Sequence, residues 1–503
     1  MAVLTREEVL SRIDDGEILV IRHGKVLKLN SWIRSHPGGD KAILHMVGRD
    51  ASDEMDVYHG DDTLKTMSSF SIGEVELPWT NVVPPIRRGN FETADLSAER
   101  KQHIRDTLQR ERLRDIEKYP TVDETTQLNI HEEFQVLHTK LHKEGYFVCD
   151  YWDYAREAAR ISSLFILSAI FFFIYKKTTS RWMLTISGVC LGFAWHQMVF
   201  IAHDSGHLGI THNYYVDSLI GCFLASFVGG LSLGWWKRNH NVHHLVTNDP
   251  VHDPDIQHLP FFAVTSKLFT NVFSTFYEKI LPMDAVARVM LPIQHHMYYP
   301  ILCFGRFNLY RLSWIYVLYG QGPKEGKAKY LRHFELLGLS VFFYWFFYLL
   351  VGKGISSNMD KFVFVMVSHI ATMPVHVQIT LSHFAQSTSD LGPVECFPQR
   401  QVRTSMDVAC PEWLDFVHGG LQFQAIHHLF PRMPRHNLRR AQAPVKEFCD
   451  RLGLHYTIYG FASGNKHVLA RLADVAKQAS VFNECNEFCR QEILSNIQPV
   501  ETK

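Results

Sequence analysis

The sequence lacks three features that mark common protein classes. Its 503 residues carry 51 Lys+Arg and 51 Asp+Glu, so the formal net charge is zero and there is no basic excess of the kind that nucleic-acid binding needs. The nine cysteines include no CxxC pair, which argues against a zinc ribbon or a disulfide framework. The first twenty residues contain no apolar h-region, which argues against a cleaved secretory signal. We therefore expect no nucleic-acid partner and an N-terminal domain in the cytosol.

Aromatic residues are abundant instead, and many of them lie in uncharged runs. The chain holds 35 Phe, 19 Tyr and 10 Trp, and a helix needs around 20 apolar residues to cross a bilayer core. Five uncharged runs of comparable length follow Arg160. They are residues 161–175, 182–202, 218–236, 336–352 and 362–382. Core helices of a large soluble protein are the alternative, but five such runs in one region favour an integral membrane protein.

Composition divides the chain into three regions. Residues 1–80 mix charged and apolar residues with turn signals, as a small α+β domain does. Residues 81–150 are predicted to hold a proline-containing linker over 81–90 and the start of an amphipathic region, with helices over 96–118 and 131–160. Residues 151–503 form the membrane domain. The predicted fold is therefore an α+β domain fused to an all-α integral membrane domain.

Three sets of side chains at helical spacing stand out among the 29 histidines. Residues three or four apart lie on one helix face, so the members of each set point the same way. A single such pair is weak evidence for a metal, because one buried histidine is more often a hydrogen-bonded core residue. The sets are His203 and His207, then His240, His243 and His244, then Gln424, His427 and His428.

The number of candidate ligands indicates two metal ions. Seven histidines and one glutamine are too many for one tetrahedral zinc ion, and the sequence contains no HExxH motif of a metalloprotease. Neutral imidazoles suit iron, copper, zinc or nickel, so the ligand type alone leaves the metal open.

The membrane runs constrain how these sets meet. The run 182–202 ends at His203. If residues 218–236 also crossed the bilayer, His240 would lie about 30 Å from His203, on the opposite side. The two sets could not then share a metal centre. We therefore predict that residues 218–236 form a re-entrant or interfacial segment.

The last two runs are then predicted to form a hairpin, which gives about four transmembrane helices. His383 directly follows the last run and is a further candidate metal ligand; a histidine bonded to interfacial water is the alternative. Three cations would lie on the lumenal side, against the positive-inside tendency. They are Lys176, Lys177 and Arg181.

The N-terminal region carries a second cofactor signal. His36 begins a His-Pro-Gly-Gly turn, and His59 follows 23 residues later. Two histidines on opposing loops can bind a haem iron on both axial sides, which leaves no open position and favours electron transfer.

These motifs resemble two known families. The segment WIRSHPGG over 32–39, together with residues 50–59, resembles the cytochrome b5 haem domain, with Met55 to Tyr58 departing from the Phe and Gly usual there. The three sets resemble the histidine boxes of membrane front-end desaturases, including the glutamine of the third box. Residues 202–212 and 248–262 look most like those of fungal Δ8 sphingolipid desaturases.

The resemblance implies the cofactors and their ligands. It implies haem b, bound by His36 and His59, and a di-iron centre in a cytosolic cap. The implied iron ligands are His203, His207, His240, His243, His244, Gln424, His427 and His428, and His383 matches an additional histidine of related desaturases.

The resemblance also implies a reaction and its partners. The expected activity is O₂-dependent desaturation of the long-chain base of a sphingolipid such as ceramide at the Δ8 position, with electrons from an NADH-cytochrome b5 reductase. The alternatives are a Δ6 or Δ5 acyl-lipid desaturase, a lipid hydroxylase with the same metal chemistry, or a haem-linked electron carrier without catalysis. The expected location is the endoplasmic reticulum membrane, in contact with its lipids.

Polar residues inside and just beyond the first two sets have two possible roles. We expect Asp204 and Asn241 either to orient imidazoles or to be ordinary surface residues. A further group lies just beyond the second set and is a candidate anchor for the lipid head group, with a solvated loop as the alternative. It comprises Asp253, Asp255, Gln257 and His258.

Overall fold

The computed structural model describes residues 3–82 and 98–496. Its N-terminal domain is a small α+β unit, as predicted. The helices are α1 (Arg6–Asp14), α2 (Asp40–Leu44), α3 (Ser52–Tyr58) and α4 (Asp61–Met67), and the strands are β1 (Leu19–Arg22), β2 (Lys25–Lys28) and β3 (Ser71–Glu74). The strands form an antiparallel sheet in the order β1-β2-β3.

The two faces of this sheet pack against different cores, because successive strand residues point to opposite sides. Leu19 and Ile21 pack against Val9 of α1. Val20 and Leu27 face the other way, into a cluster that includes Val242 of the membrane domain. The N-terminal domain therefore shares a hydrophobic core with the rest of the chain.

Two helices connect the domains. They are α5 (Ala98–Lys118) and α6 (Glu124–Lys143). The helix predicted over 96–118 is confirmed from Ala98 onward, whereas its first two residues and the linker from residue 83 on lie outside the described residues. The single helix predicted over 131–160 is wrong. Gly145 breaks it with a φ of +77°, and Asp150 caps a new helix by accepting a 2.9 Å hydrogen bond from the backbone N–H of Trp152.

The remaining chain is mostly helical. The helices are α7 (Tyr151–Thr178), α8 (Arg181–Gly206), α9 (Tyr214–Cys222), α10 (Leu233–Leu245), α11 (Ala285–Met290), α12 (Gln294–Leu302), α13 (Gly305–Tyr319), α14 (Leu331–Phe343), α15 (Asn358–Ile370), α16 (Met373–Leu381), α17 (Phe397–Thr404), α18 (Asp415–His418), α19 (Gln424–Leu429), α20 (Leu438–Leu452) and α21 (Phe461–Asn496). Two antiparallel strands, β4 (Phe273–Ser274) and β5 (Lys279–Ile280), and two parallel strands, β6 (Asp407–Ala409) and β7 (Ile458–Gly460), lie between them.

Four segments of the described residues are long and apolar enough to cross a membrane, which confirms the predicted number. They are Tyr151–Thr178, Arg181–Gly206, Lys327–Lys353 and Asn358–Leu381. The first two and the last two form hairpins. Their turns lie together, because Arg181 Nε contacts the Asp360 carboxylate at 2.8 Å and Lys176 Nζ donates to the carbonyl of Gly354 at 2.8 Å. Lys176 and Arg181, two of the three cations that contradict the positive-inside tendency, thus each have a partner in the neighbouring hairpin.

The segment predicted to be re-entrant is a bent helix pair. The chain bends by 118° between Tyr214–Val228 and Leu233–Leu245. The bend occurs at Gly230, which has a φ of +72° and lies so close to Phe342 that an added Cβ would come within 2.3 Å of the ring. The pair therefore returns the chain to the side of α8 that carries His203, as the sequence predicted.

Candidate metal centres

Two histidines of the N-terminal domain face each other across a gap. His36 lies between β2 and α2, His59 ends α3, and their ring centres are 6.3 Å apart. His36 Nδ1 bonds to the carbonyl of Gly39 at 2.7 Å and His59 Nδ1 to that of Met55 at 2.9 Å. Each Nε2 is left as the free ligand atom, and the gap fits one metal ion with bonds of about 2 Å on either side. The pair therefore fits a bis-histidine haem iron.

Both rings are held in the neutral form that binds metal. Burial lowers the pKa of His59 to about 4, with a further contribution from the charge of His36. Burial also lowers the pKa of His36. Neutral imidazoles can bind iron near neutral pH without first losing a proton.

All predicted histidine sets converge in the membrane domain. They come from the end of α8, from α10 and from α19, and His383 joins them from the second position after α16. The structure arranges most of them as two groups whose ligand atoms lie within 4.8 Å of one another. The first group is His203, His207, His240 and His427, and the second is His243, His383 and His428. Two metal ions fit this arrangement.

The two remaining predicted ligands lie beside these groups. His244 lies between them, with its Nε2 3.0 Å from His240 Nε2 and its ring 4.0 Å from that of His428. Gln424 lies one turn before His427 on α19, and its buried Oε1 has no hydrogen-bond partner among the described residues. Ligation by each of these side chains stays a prediction.

Unpaired nitrogens support the metal assignment. A buried polar atom without a partner costs free energy, and a metal ion would offset this cost. Five of the predicted metal-binding histidines have a buried Nε2 with no hydrogen-bond partner among residues 3–82 and 98–496. They are His203, His207, His383, His427 and His428. Burial and the neighbouring imidazoles also lower the pKa of His244, His427 and His428 well below its usual value.

Three of the histidines have their Nδ1 held by a side chain, which sets the orientation of those rings. His243 Nδ1 bonds to Asp253 at 2.8 Å, and His240 Nδ1 contacts Asp255 at 3.3 Å. His428 Nδ1 donates to Gln401 Oε1 at 2.9 Å. Gln401, on α17, also donates to the carbonyl of His244 at 2.7 Å.

These contacts correct the predicted head-group anchors. Asp253 and Asp255 are committed to His243 and His240, and Gln257 is buried with its amide donating to the carbonyl of Pro250 at 3.0 Å. Asp253 and Gln257 are therefore buried away from a lipid head group. Asp255 is partly exposed and His258 is exposed, so anchoring by His258 stays a prediction. The sequence signal was present, since aspartates commonly orient metal-bound histidines, but the fold was needed to pair them.

The two polar residues inside the sets have different roles. Asp204 binds Arg435 Nη1 at 2.7 Å, and its carboxylate lies 3.7 Å from His203 Nδ1, so it does face an imidazole. Asn241 instead donates to the carbonyl of Gly38 at 3.3 Å. The orienting role proposed for Asn241 is wrong because its side chain points to the N-terminal domain.

The N-terminal domain lies directly against the membrane-domain histidines. Tyr58, the neighbour of His59, has its ring centre 5.9 Å from that of His244 and 6.5 Å from that of His207. The segment in which the sequence departs from the usual cytochrome b5 pattern is therefore the one that contacts the two-metal site. The hydroxyl of Tyr58 is buried and has no hydrogen-bond partner in the described part of the chain.

Comparison with known proteins agrees with this architecture. The family described as fatty acid desaturase matches residues 180–460, and the cytochrome b5-like heme/steroid binding domain matches residues 5–76. A Delta 8-(E)-sphingolipid desaturase of Komagataella phaffii is 52% identical, covering 96% of this chain and 95% of that protein. The protein of the same description from Candida albicans is 49% identical over 95% and 97%.

A more distant relative has a different printed activity. An acyl-lipid (9-3)-desaturase of Borago officinalis is 30% identical over 95% of this chain and 94% of that protein. The relatives cover nearly the whole chain, including both the paired histidines of the N-terminal domain and the clustered histidines of the membrane domain. The chain belongs to the fatty acid desaturase family, as an oxidoreductase that carries a cytochrome b5-like haem domain in its N-terminal part.

Proposed function

We propose that this enzyme introduces a double bond at the Δ8 position of the long-chain base of a ceramide-type sphingolipid. Identity of 52% along nearly the full length to a named Delta 8-(E)-sphingolipid desaturase carries the proposal. The identity to a named acyl-lipid desaturase is lower, at 30%, and this difference favours a sphingolipid over a fatty acyl substrate. The E geometry in the name of the closer relative is the geometry we expect.

The cofactors are a haem between His36 and His59 and two non-haem irons in the membrane domain. The proposed iron ligands are His203, His207, His240, His243, His244, His383, Gln424, His427 and His428. Iron supplies the redox chemistry that removes hydrogen from an unactivated CH₂ group. In balance, the lipid loses two hydrogen atoms, and O₂ with two electrons and two protons gives two waters.

The side chains of this chain perform three tasks around that chemistry. Asp253, Asp255 and Gln401 orient imidazoles, which keeps the ligand nitrogens aimed inward. Burial of the histidines excludes bulk water, and it lowers the pKa of most of the rings, which keeps them neutral. The histidines with a lowered pKa are His207, His240, His244, His383, His427 and His428. Tyr58 brings the haem domain against the metal ligands, so that electrons travel a short way.

The partners and the location complete the proposal. We propose that O₂ is the oxidant, that an NADH-cytochrome b5 reductase supplies electrons one at a time to the haem, and that the enzyme resides in the endoplasmic reticulum. Its haem domain and histidine groups face the cytosol, where such a reductase reaches them. The four apolar segments support an integral membrane protein.

Lipid analysis tests the substrate and the reaction. The enzyme is expressed in a host that lacks long-chain-base desaturation, and saturated long-chain bases and ordinary fatty acids are supplied in parallel. We expect Δ8 bases that have lost two hydrogens, and no such product from a His427→Ala variant. Fatty acids with a new Δ5 or Δ6 bond and unchanged bases would overturn the substrate. A product that gains one oxygen would indicate a hydroxylase. If no product forms and haem iron is the only metal in the protein, the result would indicate an electron carrier.

A further inference from the structure

Two cations of the membrane domain lie beside the two histidine loops of the haem domain. Arg432 follows α19, and its guanidinium lies 3.3 Å from the position that a Cβ on Gly60 would take, next to His59. Lys237, on α10, lines a cavity together with Pro37, Gly38 and Gly39, which directly follow His36. Each cation thus lies next to one of the two proposed axial ligands.

Neither cation has an acidic partner at contact distance. Among the described residues, neither forms an ion pair within 4.0 Å or donates a side-chain hydrogen bond, and Arg432 Nε is buried without an acceptor. Lys237 Nζ lies 5.1 Å from the ring centre of Tyr214. Asp217 is near enough to act electrostatically on both cations, but its carboxylate already accepts from the backbone and hydroxyl of Thr211.

Neighbouring cations in the same region are paired, which makes these two unusual. Arg238, one residue after Lys237, lies 3.6 Å from the carboxylate of Asp40. Arg435, three residues after Arg432, contacts Asp204 at 2.7 Å. Arg238 Nε is also buried without an acceptor among the described residues, but Arg238 and Arg435 each have a carboxylate within 4.0 Å, whereas Lys237 and Arg432 have none.

The two unpaired cations also repel each other. Burial and, further, the charge of Arg432 lower the pKa of Lys237 to about 8. Asp61, the first residue of α4, is a second acid whose charge acts on Arg432. Like charges brought together in a partly buried space cost free energy, and an anion between them would offset that cost.

A haem b carries two propionate carboxylates, which are anions of the kind that two neighbouring unpaired cations would bind. We propose that Lys237 and Arg432 bind the propionates of the haem held by His36 and His59. The haem site is then completed by the membrane domain, not by the cytochrome b5-like domain alone. This inference rests on haem binding and does not depend on which lipid is the substrate.

The arrangement ties the haem to the metal groups. Lys237 lies three residues before His240 on α10, and Arg432 lies four residues after His428. The same two chain segments therefore supply ligands to the two-metal site and counter-charges to the haem edge. A haem bound this way would be held by Lys237 and Arg432 of the membrane domain as well as by His36 and His59.

The test replaces each cation in the purified full-length protein. Lys237→Gln, Arg432→Gln and the double variant are compared by haem dissociation rate and by the midpoint potential of the haem. Because a charge-assisted hydrogen bond is lost, we expect each single change to speed dissociation about tenfold and the potential to fall. Arg238→Gln is the matched control and should change both values much less, because Arg238 is paired with Asp40.

A second arm separates propionate binding from other effects of charge. Protein made in haem-deficient cells is reconstituted either with haem b or with haem dimethyl ester, whose propionates carry no charge. With the ester, the double variant and the parent protein should release the haem at the same rate. Equal effects of the variants with both haems, or wild-type dissociation and potential in the double variant, would overturn the proposal. An equally large shift in Arg238→Gln would do so as well.

Discussion

At the scale of single residues, the metal site depends on side chains that do not touch metal. Asp253 is fully buried, and its carboxylate accepts from His243 Nδ1 and from the backbone N–H groups of Asn248 and Asp255. This buried carboxylate holds one imidazole in one orientation. Partners of this kind commonly matter nearly as much as the ligands themselves.

Replacing Asp253 with Asn should weaken iron binding while the protein still folds. The amide keeps one acceptor for the backbone N–H groups but loses the charge that orients His243. We expect the affinity for non-haem iron to fall about 10- to 100-fold, with the haem content unchanged. Metal analysis of the purified protein measures this. Asp284→Asn is the control, since Asp284 caps α11 through the N–H of Ala287 at 2.8 Å, and unchanged iron in Asp253→Asn would refute the orienting role.

The residue scale also shows where reasoning from sequence succeeds. The spacing of the histidines fixes which side chains share a helix face, so their convergence was predictable. The role of Gln401 was not, because it lies on α17 and reaches His428 only through the tertiary fold. The sequence places Asp253 near the site, but its contact with His243 could not be predicted, because sequence distance does not reveal which atoms face each other.

At the scale of elements, the bent helix pair decides whether the histidine groups can meet. Its bend depends on Gly230, which adopts a positive φ and leaves no room for a side chain beside Phe342. The bend returns α10 to the side of His203. Without it, His240 would be carried across the bilayer.

Gly230→Ala should therefore destabilise the protein and its metal site together. The new Cβ is strained at positive φ and overlaps the ring of Phe342, for a combined cost of about 2 to 4 kcal/mol. We expect a lower midpoint of thermal unfolding in detergent and less bound non-haem iron. Gly453→Ala is the matched control, because Gly453 has a φ of +69° and nothing within 4 Å, so only the strain of about 1 to 2 kcal/mol applies. Equal losses in both variants would contradict the role of Phe342.

Hydrophobic runs predicted the spanning elements well, but not every boundary. The four spans follow from uncharged length, which is a property of the sequence itself. The prediction of one continuous helix over 131–160 is wrong because amphipathic periodicity does not register two local signals, a glycine that ends a helix and an aspartate that caps the next. Gly145 ends one helix and Asp150 begins the next.

At the scale of the whole molecule, polar contacts hold the haem domain on the rest of the chain. His131, on α6, contacts the buried carboxylate of Asp53 on α3 at 2.8 Å. Burial opposes the charge on His131, but the hydrogen bond and the charge of Asp53, with Asp50 and Glu54 nearby, raise the pKa of His131 to about 9. The contact is thus an ion pair near neutral pH.

The docking of the haem domain should weaken in mild alkali. A histidine whose pKa is raised on docking stabilises the docked state fully below its ordinary value of 6.5, and that contribution is lost as the pH rises through about 9. We expect hydrogen-exchange protection of α3, corrected for intrinsic rates, to fall several-fold between pH 7 and pH 10. His131→Gln retains a hydrogen-bond donor without a titrating charge and should abolish this fall. A fall of the same size in that variant would assign it to another group.

The contact between Tyr58 and the histidines of the membrane domain has a kinetic consequence. Every molecule carries its own electron donor, already in place, in a fixed ratio of one to one. Electron delivery to the two-metal site is therefore a first-order step whose rate does not depend on how much enzyme the cell makes. Because the attached domain covers the surface beside these histidines, we expect the abundance of a freely diffusing cytochrome in the membrane to leave this rate unchanged.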